Sequence, residues 1–264
     1  MRQSRSVHAP FCRAIAKPSN RHLVGIYSSL LSTILAIAPA GIDQLIHTFF
    51  NADVAALYWR DIARGMGITA LLSAAVVLAG LALGLVLAVL RSLQWRAVTL
   101  GVVVFADVLR SLPPLVIIIV FFFAFPFIDL SMSAFTATWL SLSLVLAAYA
   151  EESIWGGIQS LPIGQSEAAR STGLSWWQTM AWVVLPQALR LAVPPLTNRV
   201  ISVTKNTALG SVVALSEILN TSQSASSNAG NPTPLMLGAA AYLLLFVPVV
   251  LFSRWLETRW IYKR

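Results

Sequence analysis

The sequence predicts an all-α polytopic membrane protein with about six transmembrane helices. Three observations predict it. First, 57% of the residues are hydrophobic and only 11% are charged, against roughly a quarter charged in a soluble domain. Second, the apolar residues fall in runs that approach the roughly 20 helical residues needed to cross a bilayer core. Third, the cations gather beside the ends of those runs, which is positive-inside placement. The net charge of +8 therefore reads as topology and contact with anionic membrane lipid. No strip of interleaved aromatic and basic residues supports nucleic-acid binding. The lone cysteine, Cys12, excludes an intrachain disulfide.

Residues 1–21 carry Arg2, Arg5, Arg13, Lys17 and Arg21 and no acid: a basic cytoplasmic tail. Leu23 to about Ile42 is apolar and close to spanning length, so an uncleaved signal-anchor helix is expected, although Ala38-Pro39-Ala40 keeps cleavage open. Asp43 to Arg64 mixes charges with Phe49, Phe50, Tyr58 and Trp59. It is placed outside, partly as a helix on the membrane surface. His47 is a solvated polar residue, with no second ligand at helical spacing. Residues 22–64 thus form one N-terminal segment, and 65–264 the main transmembrane domain.

Gly65 to Leu90 is the clearest span. Its Gly80 and Gly84 make a small-xxx-small pair that lets two backbones approach, or are background, since glycine is frequent in such helices. Arg91 to Arg110 lies inside, with Asp107 and Arg110 spaced for a helical pairing. The next span runs from Ser111 to Ile128, with Pro113 and Pro114 in its first turn, where proline costs least. A short outside turn, Asp129 to Ser133, leads to a span from Ala134 to about Ala150. Glu151 and Glu152 follow. Successive helical residues point about 100° apart, so the two carboxylates need not converge. No nucleophile or metal cluster accompanies them, so no catalytic or metal site is expected.

Glu151 to Pro195 is the longest polar-bearing stretch. It breaks into two short helices. The first runs from about Pro162 to Ser171, with Pro162 at its start and Gly173 just past its end, where a left-handed residue is wanted. The second opens at Ser175, with Gln178 three residues on, the spacing of a capping box. Pro186 then kinks or restarts the chain. Ala168 and Ala169 give the first helix a small-residue face, and Glu167 and Arg170 share one side.

Ala192 to Ala214 is the next span and the most polar. Asn198, Ser202 and Lys205 fall three to four apart on one face, with Asn206 beside it. Polar groups at membrane depth are expensive. This face lines a translocation route, or else holds helices together or snorkels to the surface. Ser216 to Pro234 reads as an outside loop, with a short helix near Leu215 to Leu219 and one charge, Glu217. Leu235 to Phe252 is the last span, and Arg254, Arg259, Lys263 and Arg264 mark an inside C-terminus. Six spans put both basic ends and the 151–190 loop on one side.

The residues of that loop carry a resemblance. Glu167-Ala168-Ala169, Gly173 and Val183-Val184-Leu185-Pro186 stand at the spacing of the EAA loop, and the chain resembles the permease subunits of binding-protein-dependent ABC importers. Val183 stands where the family favours Ile. Ala148-Tyr149, Glu152, Gly156-Gly157-Ile158-Gln159-Ser160-Leu161-Pro162, Leu185-Pro186-Gln187-Ala188-Leu189-Arg190 and Pro194-Pro195-Leu196-Thr197-Asn198 look like the polar amino-acid branch. Gly67-Ile68-Thr69-Ala70-Leu71-Leu72-Ser73 is similar to the start of the first core helix. The chain departs from the pattern at Trp155, where many relatives have Arg, and at Ser111-Leu112, where a Gly-Thr pair is common. The resemblance covers about residues 65–260.

That resemblance implies a five-helix importer core plus one extra N-terminal span, in a bacterial cytoplasmic (inner) membrane, with both termini cytoplasmic. It implies a cytoplasmic coupling helix, with Glu167, Ala168, Ala169, Gly173 and Pro186 as residues coupling to an ATPase. The partners implied are a dimer of ABC ATPase subunits, a second permease identical or homologous, an extracytoplasmic solute-binding protein and an amino-acid substrate. The chain has no Gly-x-x-x-x-Gly-Lys-Ser/Thr loop, so ATP and its hydrolysis are expected on the separate chain and no cofactor on this one. Two other classes stand beside this reading. An ion-driven secondary carrier, or an intramembrane enzyme, would need convergent carboxylates or histidines inside the spans. Asp107, Glu151 and Glu152 are its only candidates. A membrane scaffold would leave the polar face around Asn198 and Lys205 without a use.

Overall fold

The computed structural model describes residues 41–261, without the side chains of Glu257, Trp260 and Ile261. The chain divides into two units between Asn51 and Ala52. In the first, residues 41–49 are helical. The expected basic tail and nearly all of the first expected span fall outside the described residues. The second unit is built of helices, and no strand occurs among the described residues.

Helix α1, Ala52–Ser92, has 41 residues and is about 60 Å long at 1.5 Å per residue. It starts well before the expected span, so residues 52–64 continue that helix instead of forming a separate surface piece. Nothing between Ala52 and Arg64 breaks a helix. The buried residues Gly65, Thr69, Leu72, Val76, Gly80, Gly84 and Ala88 recur at three- and four-residue steps along one stripe. The two expected close-approach glycines are that in fact. A Cβ on Gly80 would sit 2.8 Å from Leu146, and one on Gly84 would sit 2.5 Å from the Ala150 Cβ.

Helix α2, Arg96–Ser111, buries Val102 and Ala106 while Leu100, Val104 and Val108 stay exposed. The chain then bends by 101° into the segment Pro114–Ile128. Pro113 is the residue before helix α3, Pro114–Ile119, and Pro114 is in its first turn. Their missing N–H groups fall where no intrahelical bond is due. One π-helical turn, Val120–Ala124, and a 3-10 turn, Phe125–Ile128, complete the segment.

Helix α4, Ala134–Gln159, is capped by Ser133, whose hydroxyl accepts from the Thr136 N–H at 3.1 Å. It is the most buried of the long helices. The core gathers Leu72 and Val76 of α1, Ile117 and Ile118 of α3 and Leu142, Val145 and Leu146 of α4. Helix α5, Ile163–Ser171, and the four-residue α6, Trp176–Thr179, follow. After a π-helical turn, Met180–Val184, helix α7 runs from Leu185 to Lys205 and a 3-10 helix from Asn206 to Val213. Helix α8, Ile218–Ala229, and helix α9, Thr233–Ile261, close the unit.

The 216–234 stretch is therefore not an open loop with a short helix near 215–219. It holds the 12-residue α8, started by Glu217 as its N-cap and ended by Gly230 at φ 59°. By length and hydropathy, among the described residues, the helix ending at Ser92, α4 and α9 qualify to cross a membrane, and the bent α2–Ile128 pair makes a fourth if counted as one. Helix α7 is 21 residues long, about 32 Å, but its polar residues make it too hydrophilic to qualify on composition.

Candidate functional site: an exposed loop helix and the polar inner face of α4 and α7

The loop between α4 and α7 is ordered by its own polar groups. Pro162 is the N-cap of α5, one residue before the expected first-turn place, with ψ 131°. Its extended backbone turns the chain out of α4, which a residue inside the helix could not do. At the other end the Thr172 hydroxyl donates to the Ala169 carbonyl at 2.7 Å. Gly173 then takes φ 89°, a conformation that costs little only without a Cβ. Both halves of the capping box are made: Ser175 N–H donates to the Gln178 side chain at 2.8 Å, and Gln178 N–H to the Ser175 hydroxyl at 3.4 Å.

On α5, Glu167, Ala168 and Arg170 are exposed and Ala169 faces inward. Glu167 and Arg170 form no ion pair among the described residues. Ile163, Trp177 and Trp182 stand 60–78% exposed around the helix. The loop thus presents a rigid helix with one carboxylate, small side chains and an apolar surround. Pro186 sits in the first turn of α7, directly after the π-helical turn. That wider turn accommodates a proline, which cannot donate a bond and whose ring clashes with a regular preceding turn.

The adjacent carboxylates diverge. Glu151 is fully buried and bonds Arg91 of α1 at 2.9 Å. Glu152 pairs with Arg110 of α2, and Arg110 also holds Asp107 at 2.7 Å, the helical pairing the spacing predicts. The inner end of α4 is therefore tied to two helices by two acids one residue apart. Trp155 finds a use in place of a charge: the Arg91 guanidinium lies 4.9 Å from its ring centroid, a cation–π contact. None of these groups converges with a nucleophile, and no three His, Cys, Asp or Glu among the described residues could hold a metal ion.

On α7, Asn198, Ser202 and Lys205 are all exposed, on one stripe, while Thr197, Val203 and Thr204 are buried on the opposite one. Asn206 opens the 3-10 helix and is half-buried. Lys205 borders a cavity of about 770 Å³ with Tyr242, Phe246 and Arg254 of α9. Asn198 and Ser202 do not line that cavity; Asn198 donates weakly to the Pro194 carbonyl at 3.3 Å.

Two features escaped the sequence. Arg199 stacks on the ring of Tyr149, 4.3 Å away. Glu217 is fully buried and accepts from Leu219 N–H at 2.9 Å, Asn220 N–H at 2.8 Å and the Tyr242 hydroxyl at 2.7 Å. Burial pushes its carboxyl above the usual range, and the three hydrogen bonds offset that only in part. A lone acid before Ile218-Leu219, with Gly230 at helix distance, was the available signal for a cap.

This fold defines a helical, multi-pass membrane protein with an ordered, exposed loop between α4 and α7. The comparisons agree. The family model described as "binding-protein-dependent transport system inner membrane component" matches residues 80–262. The chain is 35% identical over 170 residues to the probable amino-acid ABC transporter permease protein YckA of Bacillus subtilis (strain 168), covering 64% of this chain and 75% of that protein. It is 34% identical over 185 residues to the glutamine transport system permease protein GlnP of Escherichia coli (strain K12), covering 68% and 84%. A solved structure titled as an amino acid ABC transporter with histidines superposes with TM-score 0.70 at 27% identity, over 77% of this chain and 96% of that one. The methionine transporter MetNI in an inward-facing form shares the fold at 20% identity and TM-score 0.58.

The chain belongs to the binding-protein-dependent transport family, as an inner-membrane permease subunit of an ATP-driven ABC importer. It is not itself an enzyme, because in these transporters the ATPase is a separate protein. The family also sets aside an ion-driven carrier that works without an ATPase.

Proposed function

We propose that the chain carries an amino acid across the cytoplasmic membrane of a bacterium, and that a separate ATPase drives it through the 162–186 loop. The observation that carries this is the ordered, exposed α5, with Glu167 and Ala168 outward and Gly173 fixing the turn behind it. A helix exposed on its outer side among the described residues, opened by Pro162 and closed by Gly173, transmits a push without bending. Glu167, Ala168, Ala169, Gly173 and Pro186 act as the coupling residues. Ala169 anchors the helix to the protein, and Glu167 and Ala168 meet the ATPase.

The remaining parts follow the same reading. ATP binds on the partner, an ATPase dimer. A second permease, identical or homologous, completes the pathway, and a solute-binding protein delivers the amino acid outside. Relatives named for amino acids and glutamine support the substrate class. The chain crosses six times, with the termini and α5 in the cytoplasm. The importer domain begins with α1 at Ala52, behind a basic tail and an added span. Asn198, Ser202, Lys205 and Asn206 line the route, and the exposure of the first three on this subunit supports a polar face that another subunit closes.

The test is co-purification from the membrane in detergent, wild type beside Glu167→Lys. The wild type should bring down an ATPase whose hydrolysis rises with an amino acid and its binding protein, and the variant should lose it. A chain that purifies alone and moves solute alone in liposomes would overturn the reading.

A further inference from the structure

Between the inner ends of α4 and α7 lies a polar cavity of about 380 Å³ whose two sides differ in chemistry. The α7 side offers a donor. Arg199 is exposed and joins no ion pair among the described residues. Its guanidinium carbon lies over the Tyr149 ring, 4.3 Å from the centroid, and its N–H edge pairs with no carboxylate among the described residues. That edge is a planar fork of N–H groups that matches a carboxylate.

The α4 side offers acceptors. The hydroxyls of Ser153 and Ser160 donate to the carbonyls of Tyr149 and Gly157, each at 2.8 Å, so what they present to the cavity is lone pairs. Glu152 engages Arg110 through Oε2, which leaves Oε1 for another donor. An ammonium group has three donors and no acceptor.

The two lining glycines differ in role. A Cβ on Gly157 would lie 2.5 Å from the Ala188 carbonyl oxygen, so this glycine lets α4 and α7 touch backbone to backbone. A Cβ on Gly156 would meet nothing within 4 Å. Gly156 therefore leaves volume that no packing requirement explains.

We propose that this cavity binds the zwitterionic head of an amino acid, the α-carboxylate on Arg199 and the α-ammonium on Glu152 Oε1 and the serine hydroxyls. It is a station at the inner end of the route, distinct from the Asn198–Asn206 stripe, and it recognises the part all amino acids share. This rests on the reading of the chain as an amino-acid permease subunit.

The test uses the purified permease–ATPase complex without binding protein. It is dialysed against an equimolar mixture of the twenty common L-amino acids, and what it retains is identified by mass spectrometry. Wild type should retain one or more. Arg199→Ala should retain about tenfold less or worse, the loss expected of a charge-assisted bond. Arg199→Lys should recover part of it, because charge returns without the fork. Gly156→Leu should block retention by filling space, and should still co-purify with the ATPase. For each amino acid retained, the α-carboxamide and the deaminated acid should both compete poorly. Competition by the deaminated acid alone would reveal an anion site and overturn the zwitterion assignment. Equal retention by all variants, or none by wild type, would overturn it too. If instead no ATPase co-purifies with wild type, the permease reading itself fails.

Discussion

Gly173 turns the chain at φ 89° between α5 and α6, and nothing lies within 4 Å of where its Cβ would be. Its constraint is therefore conformational, not steric crowding by neighbours. A β-branched residue in a left-handed conformation costs about 1–2 kcal/mol, enough to remodel a short capped loop but not a membrane bundle. Gly173→Val should insert and fold while transport and solute-stimulated ATP hydrolysis both fall; normal values of both would remove Gly173 from the coupling set. Arg91 poses the opposite case. It neutralises the fully buried Glu151 at 2.9 Å, and removing one partner of such a pair costs about 3–5 kcal/mol. Arg91→Ala should sharply lower the thermal midpoint in detergent. Arg91→Met with Glu151→Met should recover much of it, because no charge is then stranded. A double variant no better than the single one would mean that the pair, not its stranding, sustains this end of the bundle.

Among the elements, α1 and α4 share the most extensive contact, and their backbones approach along Gly80 and Gly84. Their pairing is a matter of missing side chains, as helix association in lipid requires, where apolar burial gives no drive. Gly84→Leu would have to displace Ala150 and the Ala147 carbonyl, which a Cβ alone would approach to 2.8 Å. Overpacking of this kind costs about 1–3 kcal/mol or more. Gly101→Leu on α2, where a Cβ meets nothing, is the matched control. The first variant should lose folded protein on size-exclusion in detergent, the second should not, and equal yields would show that the helices separate cheaply. Helix α8 tests the other missed element. Glu217→Ala removes a cap to Leu219 and Asn220 and strands the Tyr242 hydroxyl. A lost cap alone costs about 1 kcal/mol, so hydrogen exchange should rise first over 218–229.

At the scale of the whole molecule, hydropathy and charge made the all-α membrane class and the order of the long helices legible. The caps of the 162–186 loop were legible too, because Pro162, Gly173 and the Ser175–Gln178 pair act locally. What was not legible depends on distant partners. Glu217 looks solvated until Tyr242 is brought to it, and Arg199 looks like any cation in a span until Tyr149 faces it. The extension of α1 back to Ala52 escaped for a different reason: charged residues at 53–64 read as a boundary, though none of them stops a helix. The division into two sides is where local signals and topology meet. If α7 crosses the membrane, α5 and α8 lie on its opposite faces. A variant with Cys12→Ser and one new cysteine, Ser171→Cys on the rim of α5 or Ser227→Cys on the exposed side of α8, separates them. A membrane-impermeant maleimide should label residue 227 in intact spheroplasts and residue 171 only after the membrane is opened. Labelling of both from one side would mean that α7 does not cross, and the α4–α7 cavity would then have no route to serve.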